Sequence, residues 1–165
     1  MRAWRASLFS FALLLSSCVE TESRVLYDSF PTVTSPILYE SLLRHIQEAE
    51  QAAQRDPNDP APHYFLGQAY LLRGEVALAE KEFLLLTQLS SQSAGPHYEL
   101  ARIYAATQRD DIALSHLQTA IQLAPDFAEA HYAIAKAYEK RGDAILAQQH
   151  YLRYTELKRE SENLK

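Results

Sequence analysis

The chain has 165 residues, a formal net charge of −5 and 47% hydrophobic residues, with only 4 Gly, 7 Pro and 1 Cys, the composition of one modest globular domain. With 21 acidic against 16 basic side chains it lacks the electrostatic footprint of a polyanion binder, so nucleic acid is not an expected partner. A single cysteine builds neither a disulfide framework nor a cysteine-based zinc site, so packed apolar surface must supply the stability.

At the amino end, Arg2 and Arg5 precede an eight-residue run from Leu8 to Leu15 that is almost wholly apolar. The run is too short to span a bilayer, which needs about 20 residues, and it reads as the hydrophobic region of a signal peptide over 1–17. It closes in Leu15-Ser16-Ser17-Cys18, which resembles the lipobox of bacterial lipoproteins. That resemblance implies diacylglycerol and an acyl chain (palmitate or similar) on Cys18, enough for stable membrane anchoring. Val19, in place of the retention signal Asp, implies the outer membrane, with the chain facing the periplasm. Residues 18–35 continue as a polar, Ser/Thr-rich leash without helical periodicity, able to reach about 55 Å when extended. Val25, Leu26, Tyr27 and Phe30 give the leash an alternative, docking on the domain.

Ser35-Pro36 is a helix cap and first-turn pair, and Tyr39, Leu42, Leu43, Ile46, Ala49 and Ala52 then form a stripe that ends at Asp56-Pro57. This predicts a capping helix over 36–56 that covers the start of whatever follows.

From Pro60 the chain superposes on itself at a shift of 34 residues. Frames 60–93, 94–127 and 128–161 align His63, His97 and His131; Tyr64, Tyr98 and Tyr132; Tyr70, Tyr104 and Tyr138; Ala79, Ala113 and Ala147; Leu89, Leu123 and Leu157. Three further columns vary only in size: Leu66, Leu100 and Ile134; Gly67, Ala101 and Ala135; Phe83, Leu117 and Tyr151. His63, Leu66, Gly67 and Tyr70 lie on one face of a first helix, and Ala79, Phe83, Leu86 and Leu89 on one face of a second. Small residues in the 67 and 79 columns allow close helix approach. Asp59-Pro60 and Asp126 are candidate first-helix caps, and Gly74 and Gly142 candidate turn residues.

These residues resemble the tetratricopeptide repeat, whose Leu-Gly pair, Tyr, Ala, aromatic and terminal Pro are met at Leu66-Gly67, Tyr70, Ala79, Phe83 and Pro125. The resemblance implies an all-α, right-handed solenoid of three helical hairpins preceded by a half-repeat helix. The chain departs from the family pattern at His63, His97 and His131, where a large apolar residue is usual, at Gln108 in place of the turn glycine, and at Ser91 and Arg159 in place of Pro.

No catalytic residue, metal or cofactor is expected. The His63, His97 and His131 column is read as packing, because equivalent positions in stacked helices lie about 8–10 Å apart and zinc needs its ligands about 2 Å from one ion. His45, His116 and His150 show no common spacing by inspection. Asp110-Asp111 fall where a second helix begins and suit its dipole. No phosphate loop or nucleophile elbow is found.

Binding is assigned instead to the first-helix face carrying Tyr64, Gln68, Leu71 and Leu72, then Tyr98, Arg102 and Ala105, then Tyr132, Lys136, Glu139 and Lys140. In tetratricopeptide proteins this face lines a concave surface for peptides. Three tyrosines offer apolar area and hydroxyls, and Arg102, Lys136 and Lys140 suit an acidic or carboxylate-bearing segment. The chaperone-tail clamp of some family members is absent, since Tyr64, Gln68, Glu99, Glu129 and Ala133 stand in its places. The expected function is a lipid-anchored adaptor of the bacterial cell envelope that binds a protein or peptide partner. The alternative is a pilotin-like or homo-oligomeric (possible homodimer) assembly subunit that uses exposed Ile145, Leu146, Tyr151 and Leu152 at the carboxyl end.

Overall fold

The computed structural model describes residues 36–163; Cys18, the expected leader and the leash lie outside the described residues. Among the described residues there are seven helices and no strand: α1 Pro36–Arg55, α2 Pro60–Leu72, α3 Val76–Leu89, α4 Ala94–Ala106, α5 Asp110–Leu123, α6 Ala128–Lys140 and α7 Ala144–Asn163. Each helix packs on its sequence neighbours, most heavily within the hairpins α2–α3, α4–α5 and α6–α7. The result is an all-α solenoid.

The 34-residue period reappears in the turns. After α2, α4 and α6 the backbone turns left-handed at Gly74 (φ 75°), Gln108 (φ 60°) and Gly142 (φ 80°). The next amides, of Glu75, Arg109 and Asp143, donate to the carbonyls of Tyr70, Tyr104 and Tyr138 at 2.8, 2.8 and 2.9 Å. Gly74 also donates to Leu71 at 3.0 Å, which completes a Schellman stop. The tyrosine column thus marks the last turn of each first helix.

The starts are less uniform. Asp59 caps α2, its Oδ1 accepting from the Ala61 amide at 3.0 Å. Asp126 does not cap α6; Phe127 occupies that position without a side-chain bond. Its ring packs on Tyr98 at 4.9 Å, so apolar packing sets where this helix begins. Asp110 and Asp111 occupy the first turn of α5, behind Arg109, and complement the helix dipole there.

The core is one continuous cluster, with Phe83, Leu86, Leu100, Ile103 and Ile134 its largest fully buried side chains. α1 joins it through Ile46, with Leu42, Ala49 and Ala53 packed alongside, and the Tyr70 hydroxyl donates to Glu50 at 2.9 Å. The expected stripe differs at its first member, Tyr39, which is 39% exposed, and Ile37 and Leu38 before it are 80% and 62% exposed. A 20-residue helix of about 30 Å overhangs a 13-residue neighbour of about 20 Å.

Helix approach in the first hairpin is set by Gly67. A Cβ added there would lie 2.8–3.0 Å from the Phe83 ring. In the next two hairpins the equivalent residue is Ala and its counterpart Leu117 or Tyr151, the latter only half-buried.

Two outcomes follow. Gly67→Ala is expected to cost about 1–3 kcal/mol through overpacking, and Phe83→Leu added to it should recover part of that loss, as a double-mutant cycle by urea unfolding will show. Gln108→Gly removes a left-handed non-glycine conformation and should raise unfolding stability by about 1 kcal/mol; an unchanged or lower denaturation midpoint would contradict that account.

Candidate functional site: an alanine-floored groove

Residues of α4, α5 and α6 line a groove of about 650 Å³. α4 contributes Tyr98, Ala101, Arg102 and Ala105, spaced i, i+3, i+4 and i+7, so one helix face supplies that wall. α6 contributes Ala133, Lys136, Ala137 and Lys140 at the same spacing, with Tyr132 and Glu139 beside them. Leu117 and Asp110 of α5 complete the lining.

Five expected binding residues, Tyr98, Arg102, Tyr132, Lys136 and Lys140, therefore come together. Tyr64, Gln68 and Leu71 of α2 are not part of this lining. Tyr64, 43% exposed, meets Phe83 edge-on at 6.0 Å. Leu71 is only 3% exposed and lies in the core cluster, because α2 is packed between α1 and α3 and buries more than one face. The alanines at i and i+4 on both walls carry a signal the tyrosines overshadow: they keep the floor low.

The aromatic walls do not form a continuous ladder. Tyr98 rests on Phe127, and Tyr132, 45% exposed, rests on Tyr151 and Tyr154 at 5.8 and 5.2 Å. Burial pushes the ionisation of the Tyr98 hydroxyl up.

The expected positive charge is already matched. Arg102 donates to the buried Glu99 at 2.8 Å, Lys136 to Glu139 at 2.7 Å, and Lys140 to Asp110 at 2.6 Å. Glu139 also accepts from the Tyr151 hydroxyl at 3.1 Å. The hydrogen bond from Lys136, then that from Tyr151, holds its carboxyl below the usual range. Arg102, Lys136 and Lys140 are thus each paired with a carboxylate of the protein itself, so the positive charge expected to meet an acidic segment is already engaged.

The histidine column is structural, and it has a partner column. His63 Nδ1 lies 2.7 Å from Glu82 Oε2, His97 Nδ1 3.1 Å from His116 Nδ1, and His131 Nδ1 3.0 Å from His150 Nδ1. His116 and His150 are one 34-residue period apart, with Glu82 one period before them; comparing them with His45 hides that. Among the described residues no group of three or more His, Cys, Asp or Glu side chains is arranged to hold a metal ion. No described helix is long and apolar enough to cross a membrane.

Two family patterns match the chain: one described as "TPR repeat" over residues 101–142 and one described as "Tetratricopeptide repeat" over 128–161. Among solved structures, "Crystal structure of MamA" is 22% identical, with 72% of this chain and 69% of that chain covered and a TM-score of 0.67. "MamA 41-end from Desulfovibrio magneticus RS-1" is 18% identical, covering 75% and 70%, with a TM-score of 0.65. "MamA MSR-1 C2" is 22% identical, covering 76% and 72%, with a TM-score of 0.62. No curated protein matches. The chain carries tetratricopeptide repeats at residues 101–142 and 128–161 and shares the all-α solenoid fold of the MamA structures.

Proposed function

We propose that this chain is a non-enzymatic adaptor whose groove between α4 and α6 receives the apolar face of a partner helix. The observation that carries the reading is the lining itself. Ala101, Ala105, Ala133, Ala137 and Leu117 make an apolar floor between Tyr98 and Tyr132, and the charged rim residues hold one another. An extended peptide buried there would meet few groups able to satisfy its backbone, at a cost of about 1–3 kcal/mol for each unpaired polar group. A helix brings its own backbone hydrogen bonds and needs only a low, apolar seat. Lipid on Cys18 would hold the adaptor at the envelope membrane, in the outer membrane facing the periplasm, and raise the local concentration of the captured partner.

A second reading, assembly through the carboxyl end, is favoured by Ile145 and Leu152 of α7, which are 75% and 53% exposed.

Affinity capture from detergent-solubilised envelopes separates the two. The wild-type chain used as bait defines the specific partner; as bait, Tyr98→Ala together with Ala133→Leu should abolish its recovery, Tyr98→Ala alone weakening binding about 30-fold, as loss of an aromatic anchor does. Ile145→Ser with Leu152→Ser should leave recovery intact. The reverse pattern would replace the groove with the α7 surface. Labelled palmitate incorporated by the wild type and not by Cys18→Ser checks the anchor.

A further inference from the structure

The groove's two tyrosine walls stand next in sequence to the two histidine pairs. His97 precedes Tyr98 on α4 and reaches across to His116 on α5; His131 precedes Tyr132 on α6 and reaches across to His150 on α7. Both bonds join ring nitrogens that must share a proton.

The tautomer in the third hairpin is fixed by its surroundings. His131 Nε2 lies 3.2 Å from the Pro125 carbonyl, which can only accept, so Nε2 carries the ring's proton. Nδ1 is then the acceptor, and His150 Nδ1–H donates to it across 3.0 Å. One extra proton leaves an N–H facing a lone pair, whereas a second puts two N–H groups and two like charges face to face at about 3 Å, where like charges repel strongly. The first hairpin differs. His63 Nδ1 faces the Glu82 carboxylate at 2.7 Å and Nε2 the Pro57 carbonyl at 3.3 Å, so an added proton costs neither bond.

The charged and titratable neighbours support this contrast. Tyr104 stacks on His116 and Tyr138 on His150 at 5.3 and 5.9 Å. From α3, Glu80 acts on His116 but is held by the Arg109 guanidinium at 2.8 and 3.2 Å, and Arg109 lies over the Tyr104 ring. Gln118 reaches the Tyr138 hydroxyl at 3.4 Å, and the charge acting on His150 is that of His131.

We propose that the His97–His116 and His131–His150 pairs are a proton-sensitive latch: ring-to-ring bonds close hairpins α4–α5 and α6–α7 when neutral, and their double protonation loosens both walls of the groove. Proton control of partner capture rests on the groove reading; the latch itself does not.

The direction follows from linkage. Burial holds His97, His116 and His150 below the usual histidine value, and the partner histidine adds to this at His116 and His150. The unfolded rings take protons near pH 6.5 while the folded ones resist. Stability is therefore complete above about pH 6.5 and drains as pH falls from there toward the folded values.

Amide hydrogen exchange on the full chain without any partner, corrected for intrinsic rates, tests the latch. Between pH 7.5 and 5.0, protection of residues 94–163 is expected to fall about tenfold, while residues 60–89 change little. His116→Glu with His150→Glu copies the first hairpin's pairing and should remove the drop. Protection that is insensitive to pH, that falls equally in both regions, or that falls undiminished in the double variant overturns the latch. Imidazole ¹⁵N titration of the wild-type chain repeats the test without substitution: both rings of a pair taking up the second proton with α4–α7 still protected would refute it. Because no partner is present, failure here leaves the groove reading standing, and failure of capture leaves the latch standing.

Discussion

Everything in this solenoid depends on how closely two short helices approach within one hairpin. A 13-residue helix cannot persist alone in water, since isolated helices below about 12–15 residues are marginal even with the best formers. α2, α4 and α6 are each 13 residues long and persist because an apolar face is covered by the next helix. The cover is tight because position 67, 101 or 135 is Gly or Ala. In the first hairpin the Phe83 ring occupies the space a Gly67 side chain would take. Phe83 is consequently 0% exposed, and a ring of that size contributes several kilocalories per mole when fully removed from water, on the order of 2–3.

Stacking in series then produces function as a by-product of packing. α2 is covered by α1 and α3, so Leu71 is lost to the core. Farther along, α4 packs on α3 and α5, and α6 on α5 and α7, and each also carries the stripe that lines the groove. In that groove, alanines keep the helix surfaces low and tyrosines at 98 and 132 stand up at its sides. The groove is what remains when two first helices are held at hairpin spacing with small residues in between.

The periodic part of this was legible in the residue order. Self-similarity at 34 residues yields the hairpins, the turn positions at Gly74, Gln108 and Gly142, and the tyrosine column whose carbonyls end the first helices. Three things were not. The long-range ion pairs were hidden because their partners are far apart in the chain: Glu80 with Arg109, Asp110 with Lys140, and Glu129 with Lys158 are separated by 29 or 30 residues, a spacing no single-helix pattern displays, unlike the i, i+3 pairs Glu99–Arg102 and Lys136–Glu139. The burial of Leu71 depended on how much of α2 its neighbours enclose. The histidine pairs required two columns to be compared, offset by 19 residues, where reading each column alone shows only packing or no order.

That offset joins architecture to regulation. A side chain in the 97 column faces the neighbouring helix of its own hairpin, and the next residue, in the 98 column, faces the groove, because successive helical positions point about 100° apart. Whatever alters the bond at 97 or 131 therefore acts one residue away from the wall. The first hairpin has the same frame but carries Glu82 in place of a second histidine, and its tyrosine, Tyr64, is not among the groove's lining residues. Histidine pairing thus occurs in the two hairpins that build the groove and is replaced by a carboxylate in the one that does not. A single substitution column separates a hairpin closed by a histidine–carboxylate contact from two closed by histidine pairs, with the fold common to all three unchanged.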